Sequence, residues 1–319
     1  MGVTRTWLPC TRVQTGIIVE KTVLNAISAR IFAAAVTFQF VGNISGEAYV
    51  QEKTEDVLRV ELVSQGVIST DRNETFSAEN PSDGSLWFSV YDNSFSAQTI
   101  MVARPVKSGW ATPTVAPFSG EWGDRAPRFS PDGTELFFTS NRPREEGGSL
   151  EDMNIWRVVR EGDSWIEPEQ LDSPLNSEAK DIHSSVTREA VWVASNREGG
   201  YRRSDIYRIN NDGTTTHFSA PINDEQSQPD PYVSADETWM ILVITDHPDG
   251  YGGDDLYLSR FDGESWSVPT NLGPEINTDE YEYGSTVSGD SEYPNFTSRR
   301  GDSADVYRVP LLYLLGGGR

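Results

Sequence analysis

The chain has 319 residues, 36% of them hydrophobic and 11% aromatic, with a formal net charge of −23. An acidic surface of that size argues against nucleic acid and anionic membrane faces as partners. The single cysteine, Cys10, rules out an internal disulfide or a cysteine-based zinc site, and the length suffices for one large domain plus an extension.

Residues 1–56 carry no repeat. Within them, Ile31 to Val41 is an apolar run, preceded by Lys21 and Arg30 and followed by Gly46-Glu47-Ala48. Charged, apolar, then small is the order of a secretory signal, here over 21–48. It predicts a periplasmic or secreted protein whose mature chain begins near Tyr49. The alternative is a helix or an unstructured arm. The run is too short for a membrane span, so no stable insertion is expected. No hydrophobic stretch precedes Cys10, which removes a lipidation reading. Val57 to Ile68 alternates, is rich in Val, and reads as a strand.

From residue 71 a unit of about 50 residues recurs. A strand centred on Ile100, Ile155, Ile206, Leu256 and Val306 returns at intervals of 55, 51, 50 and 50 residues. A strand before it ends at Ser89, Ser140, Ser195, Thr245 and Ser298. The turn that feeds the second strand reads Asp83-Gly84 and Asp132-Gly133, then decays to Arg188-Glu189, Asp236-Glu237 and Asp290-Ser291. A fourth element follows as Trp110 with Pro113, Trp165 with Pro168 and Trp266 with Pro269, and His217 is read as standing in the tryptophan's place in the third unit. Four short strands at this period predict an all-β fold, a β-propeller of four-stranded blades. Five blades are visible, at 71–120, 121–176, 177–227, 228–282 and 283–313, and a sixth from 15–56 stays open. The last lacks its fourth strand, which residues 57–68 can supply. Closing the ring with strands from both ends removes an open sheet edge. The propeller domain is thus placed at 57–313, with 314–319 as a tail, and a monomer is expected.

Residues 116–143 (APFSGEWGDRAPRFSPDGTELFFTSNRP) and 266–282 (WSVPTNLGPEINTDEYE) carry a resemblance. Over about 57–313 the chain resembles the bacterial WD-repeat-like propellers with a Ser-Pro-Asp-Gly turn and an Asp-Ile-Tyr strand, the family of the TolB-type propeller. The resemblance implies fold more than function, because such blades serve many roles. The amino-terminal domain of TolB-type proteins is not seen here.

Reading back from each turn gives an acid before each innermost strand: Glu74, Asp124, Asp181, Asp230 and Glu282. At a channel mouth these five would form a negative funnel able to hold Ca²⁺ or a basic or polyhydroxylated ligand. Arg125 and His183 are the nearest basic residues, and His183 is the histidine placed at that mouth. The structural alternative is that the acids accept backbone N–H bonds within their turns. Asp246 to Asp255 (DHPDGYGGDD) is a second Ca²⁺ candidate, although its spacing departs from the EF-hand loop. Arg142, Arg197 and Arg299 are expected to pair with Asp152, Asp205 and Asp305 within their blades.

No Gly-x-Ser-x-Gly is present, and His183, His217 and His247 lie in different blades. The aspartate-box spacing of sialidases is absent, since Asp132 and Gly133 are contiguous. The expected function is therefore non-catalytic: an exported propeller binding a protein, peptide or glycan at one face of its channel, with no cofactor other than a candidate Ca²⁺. The alternative is a carbohydrate-active enzyme, a glycoside hydrolase or lyase, using channel-mouth carboxylates.

Overall fold

A computed structural model describes residues 36–42, 48–54, 60–92, 98–143, 153–201, 204–289 and 291–316, divided between two units, 1–57 and 58–319. In the first unit, Val36–Gly42 pairs antiparallel with Ala48–Thr54, opposing Phe38 to Glu52 and Phe40 to Val50. The carboxyl-terminal part of the apolar run is therefore a hairpin strand rather than a helix. Cys10, Lys21, Arg30 and the start of the run lie outside the described residues.

The second unit is a ring of five antiparallel blades. Their first three strands are Asn73–Glu79, Leu86–Tyr91 and Gln98–Ala103 in blade 1, and Asp124–Phe129, Glu135–Ser140 and Asn154–Glu161 in blade 2. Blade 3 has Asp181–Val186, Ala190–Ser195 and Asp205–Asn210; blade 4 has Pro231–Val233, Trp239–Thr245 and Asp254–Arg260. Blade 5 has Glu282–Val287, Pro294–Ser298 and Asp305–Arg308. The first strands of successive blades touch in turn, and that of blade 5 touches that of blade 1. Second strands such as LWFSVY are buried throughout because each blade covers the face of its neighbour, which favours an unbroken apolar, β-branched or aromatic run.

The turns follow from side-chain chemistry. Asp83 and Asp132 each accept a backbone N–H two residues on, from Ser85 and Thr134, both at 3.0 Å. Gly84 and Gly133 then take φ of 66° and 73°, which a residue without Cβ reaches freely. In blade 4, Asp236 accepts from Thr238 N–H at 3.3 Å and Glu237 itself sits at φ 55°.

Ring closure occurs as expected, but with a shorter strand. Glu61–Leu62 pairs with Arg308 and Tyr307, and Val63 N–H donates to Val306 C=O at 2.9 Å. A turn at Ser64 to Gly66, both left-handed, ends the pairing there. Beyond blade 5 a short helix, Leu311–Leu314, turns inward, so that Leu314, read as tail, packs in the core between blades 4 and 5.

Between most blades a large side chain from an outer segment closes the gap. Trp165 of blade 2 lies edge-on to Trp87 of blade 1 at 5.5 Å, and Trp266 of blade 4 lies edge-on to Trp192 of blade 3 at 5.9 Å. Trp110 packs on the cluster shared by blades 5 and 1, and Leu311 and Leu314 on that between blades 4 and 5. Blade 3 differs. His217 pairs with Tyr207 of the third strand, as Gln170 pairs with Trp156 and Asn271 with Tyr257. It is therefore an outer-strand residue and does not occupy the tryptophan's place. The stretch from Tyr207 to His217 is four residues shorter than Trp156 to Gln170 or Tyr257 to Asn271, and the Trp-x-x-Pro segment is what it lacks.

Candidate functional site

The acids read as a ring do not converge. Asp124 is fully buried and takes Arg142 and the Ser140 hydroxyl, both at 2.6 Å. Asp181 takes Arg197 at 2.6 Å and the Ser177 hydroxyl and N–H. Glu282 takes the Ser298 hydroxyl at 2.6 Å, Arg300 at 3.8 Å, and the N–H and hydroxyl of Thr278. Glu74 takes the N–H and hydroxyl of Thr70. These four are anchors inside their own blades. The arginines thus meet the acid of the first strand, not the aspartate of the third. In blade 5 the partner is Arg300 in place of Arg299. Asp205 instead faces His217 at 2.8 Å and Asp305 the Ser303 hydroxyl, while Asp152 lies outside the described residues.

Asp230 is out of register with the other four. The strand-ending residues Asn80, Ser130, Thr187, Ser234 and Ser288 each donate the same backbone N–H bond across the turn. Six residues before them stand Glu74, Asp124, Asp181, Gln228 and Glu282. In blade 4 the position holds Gln228, which donates to Asp224 four residues upstream at 2.9 Å. Blades 1, 3 and 5 have a carboxylate accepting from Thr70, Ser177 or Thr278 four residues upstream, so blade 4 makes the same bond with donor and acceptor exchanged.

Two residues further along lies the axis. Here the first strands of blades 1, 2, 3 and 5 each carry a bulge, with Phe76, Ala126, His183 and Gly284 at φ of 51°, 52°, 48° and 67°. The bulge frees a backbone N–H that a hydroxyl of the preceding blade accepts: Ser89 for Ala126, Thr139 for His183 and Thr297 for Phe76. Blade 4 offers Val243 at that point, which has no hydroxyl. Asp230 substitutes, accepting Gly284 N–H at 2.5 Å with one oxygen and Arg128 at 3.3 Å with the other.

A plug of side chains fills the channel at this level. The Phe76 ring lies 4.7 Å from His183 and 5.1 Å from Tyr283, with the Arg128 guanidinium over it at 6.0 Å, and Tyr91 packs alongside. Burial lowers the His183 pKa well below its ordinary value, and the nearby Arg125 adds to this. The neutral ring places Nδ1 2.9 Å from the Pro229 carbonyl, so Nδ1 carries the proton and donates. Nε2 is left as a buried acceptor without a partner. Burial raises the Tyr91 hydroxyl pKa, an effect opposed by Arg125. Arg125 is half-buried, its Nε has no partner, and no carboxylate pairs with it among the described residues. The axis thus presents two guanidiniums, a neutral histidine and one committed carboxylate. Its local charge is opposite to the funnel expected from sequence. Below the plug, a cavity of about 210 Å³ opens at the other mouth, lined by Arg128, Ser185, Tyr232 and Thr286.

Among the described residues no three His, Cys, Asp or Glu side chains gather as a metal site. The five acids expected to hold Ca²⁺ are accordingly not grouped as one ligand set. In the 246–255 loop Asp255 accepts the N–H groups of Tyr251 and Gly252, and Asp254 takes the Thr245 hydroxyl. Phe76, Tyr91, Arg128 and Tyr283 were not singled out from sequence. Alignment on the turn serines, rather than on the nearest acid, is the signal that would have found their level.

No protein-family model matches the chain, and no curated protein matches it in sequence. Solved structures similar to it include a putative TolB from Agrobacterium tumefaciens, at 15% identity and TM-score 0.43, covering 84% of this chain and 79% of that one. A glycoside hydrolase matches at 11% identity and TM-score 0.49, over 78% and 89% of the two chains. An oligogalacturonate lyase in complex with manganese matches at 12% and 0.38, over 86% and 96%. At these identities none of them assigns an activity to this chain.

Proposed function

We propose that the protein is a non-catalytic, exported binding module that takes a carboxylate-bearing glycan or peptide at the channel face carrying Arg125 and His183. The observation that carries this reading is the half-buried Arg125, without a carboxylate partner among the described residues, beside a buried His183 Nε2 that accepts no hydrogen bond from them. An acidic group would pair with Arg125, a ligand hydroxyl or amide would donate to Nε2, and Phe76, Tyr91 and Tyr283 would offer ring faces. A glycosidase mechanism needs two carboxylates across one bond. Asp230 is the acid on the axis among the described residues, and it is held by Arg128 and Gly284. Export rests on the charged, apolar, small order of 21–48; no described helix is long and apolar enough to cross a membrane.

Calorimetry against paired acidic and neutral glycans and peptides tests the site. Acidic ligands should bind, weaken as salt rises, and lose about tenfold or more in Arg125→Ala, in line with the loss of a charge-assisted contact. Equal binding of neutral counterparts, or unchanged affinity in Arg125→Ala, would refute the site. Product formation from any glycan would move the protein to the enzyme class.

A further inference from the structure

Among the described residues, the gap between blades 2 and 3 is the one into which the hairpin of the following blade sends no large side chain. Its apolar lining is Phe137, Leu171, Leu175, Val186 and Ile209, around a groove of about 600 Å³. By register these residues correspond to those that receive a tryptophan elsewhere. Phe137 matches Trp87 and Trp192 in the second strand, Val186 matches Phe129 and Val233 in the first, and Ile209 matches Val158 in the third. Between blades 1 and 2, Trp165 covers Trp87 and Phe129. A groove of about 570 Å³ also runs between blades 3 and 4, but Trp266 and Phe261 line it and no first-strand residue does. Between blades 2 and 3 the lining reaches the first strand. The shortened hairpin of blade 3 has removed the plug and kept the seat.

The rim has a distinct charge pattern. Arg157 is held by Glu135 and Glu169, and Asp132 by the Ser130 and Thr134 hydroxyls. Arg188 lines the groove, is exposed, and has no carboxylate partner among the described residues.

We propose that this groove is a docking site for an aromatic side chain, tryptophan foremost, carried beside an acidic residue on an exposed segment of a partner protein. The repeats identify the ring: two neighbouring seats of matching composition are covered by tryptophan. The rim identifies the neighbour, since a carboxylate next to the ring can reach Arg188. Burying an aromatic ring in a preformed apolar seat makes it the anchor of such a contact, with the rim setting specificity. The site is separate from the channel face and does not depend on the reading given above for Arg125.

The test uses the full chain and three capped dipeptide amides, acetyl-Asp-Trp, acetyl-Lys-Trp and acetyl-Asp-Leu, titrated by NMR or calorimetry. Acetyl-Asp-Trp should bind with a Kd on the order of millimolar, as expected for a ligand of this size, and several-fold tighter than the other two. Asn210→Trp places an indole on the rim in cis and should weaken the dipeptide about tenfold or more. Arg188→Glu leaves the floor intact and should reverse the preference between acetyl-Asp-Trp and acetyl-Lys-Trp. If Asn210→Trp does not fold, the charge reversal decides alone. The proposal is overturned by absence of saturable binding, by acetyl-Asp-Leu binding equally well, or by an unchanged charge preference in Arg188→Glu. A concentration-dependent dimer in sedimentation that Asn210→Trp abolishes would assign the groove to a second copy of this chain, and would also overturn it.

Discussion

His183 stands in the left-handed region, buried to 8% exposure, with one ring nitrogen donating to a carbonyl and the other unpartnered. Its pKa lies well below the ordinary histidine value because burial disfavours the charged ring and Arg125, Arg128 and Lys180 repel it. Between the folded and unfolded pKa values the unfolded chain binds more protons, so stability rises with pH. The contribution is present above about pH 6.5, the unfolded value, and is lost as pH falls toward the folded one. Thermal unfolding of wild type and His183→Gln between pH 7 and about pH 5 should therefore show a shallower loss in the variant. Parallel curves would remove His183 as an acid-labile point. The carboxyls of Glu74 and Asp124, raised by burial, act with the opposite sign, their contribution fading as pH rises through the folded pKa. Both are present in wild type and variant, so they cancel in the difference. The acids at Glu74, Asp124, Asp181 and Glu282 were legible because a recurring carboxylate is visible in the letters themselves. What they do was not. A buried acid with an arginine from the next strand looks the same in sequence as one facing a channel. Asp230 misled for a related reason: Gln228 preserves the bond of its register position while removing the charge that marks it.

The recurring element is the joint between the start of the first strand and the end of the second. In blade 2 it joins Asp124 to the Ser140 hydroxyl and to Arg142, which also donates to Ser140, and in blade 3 Arg197 bridges Asp181 and the Ser195 hydroxyl. Arg142 also donates to the Phe118 carbonyl and lies over the Phe138 and Trp156 rings at 5.0 and 5.3 Å. It thus fixes the blade's upper corner to the linker that enters it. Removing Arg142 leaves a buried carboxylate without its counter-ion, and Arg142→Ala should cost about 3–5 kcal/mol by chemical denaturation. Arg308→Ala, which breaks the exposed pair with Glu61 at 3.1 Å, should cost no more than about 1 kcal/mol. Similar losses for the two would mean that the buried joint carries no special weight. At this scale the repeat was legible: each expected second and third strand forms, although the second strand of blade 1 runs past Ser89 to Tyr91. The arginine's partner was missed because the Asp that opens the third strand is nearer in sequence, whereas the first-strand acid is nearer in space across a register of Asp124 opposite Ser140.

At the scale of the molecule, five blades close without a sixth, and the closing strand is two residues long. The amino-terminal side contributes more than that strand: Val63 and Ile68 are buried in the cluster between blades 5 and 1, and the Ser69 hydroxyl donates to the Val306 carbonyl at 3.4 Å. A chain beginning after residue 70 should thus melt well below one beginning after residue 50, and differential scanning calorimetry of the two compares them directly. Coincident transitions would show that the ring holds without its clasp. The repeat made this closure legible, since a unit lacking its last strand demands one from elsewhere. The empty seat between blades 2 and 3 was hidden, because His217 follows the third strand at a plausible distance and a deletion of four residues leaves the period nearly intact. The clasp also bears on how the chain is made. Leu62 leaves the ribosome long before Tyr307, the residue it must pair with. At ordinary rates of synthesis that separation is a delay on the order of tens of seconds. Throughout it, blades 1 to 4 can stack on one another while the first one's outer flank stays bare, so the nascent propeller is an arc with two exposed ends, and a chaperone has its interval to act.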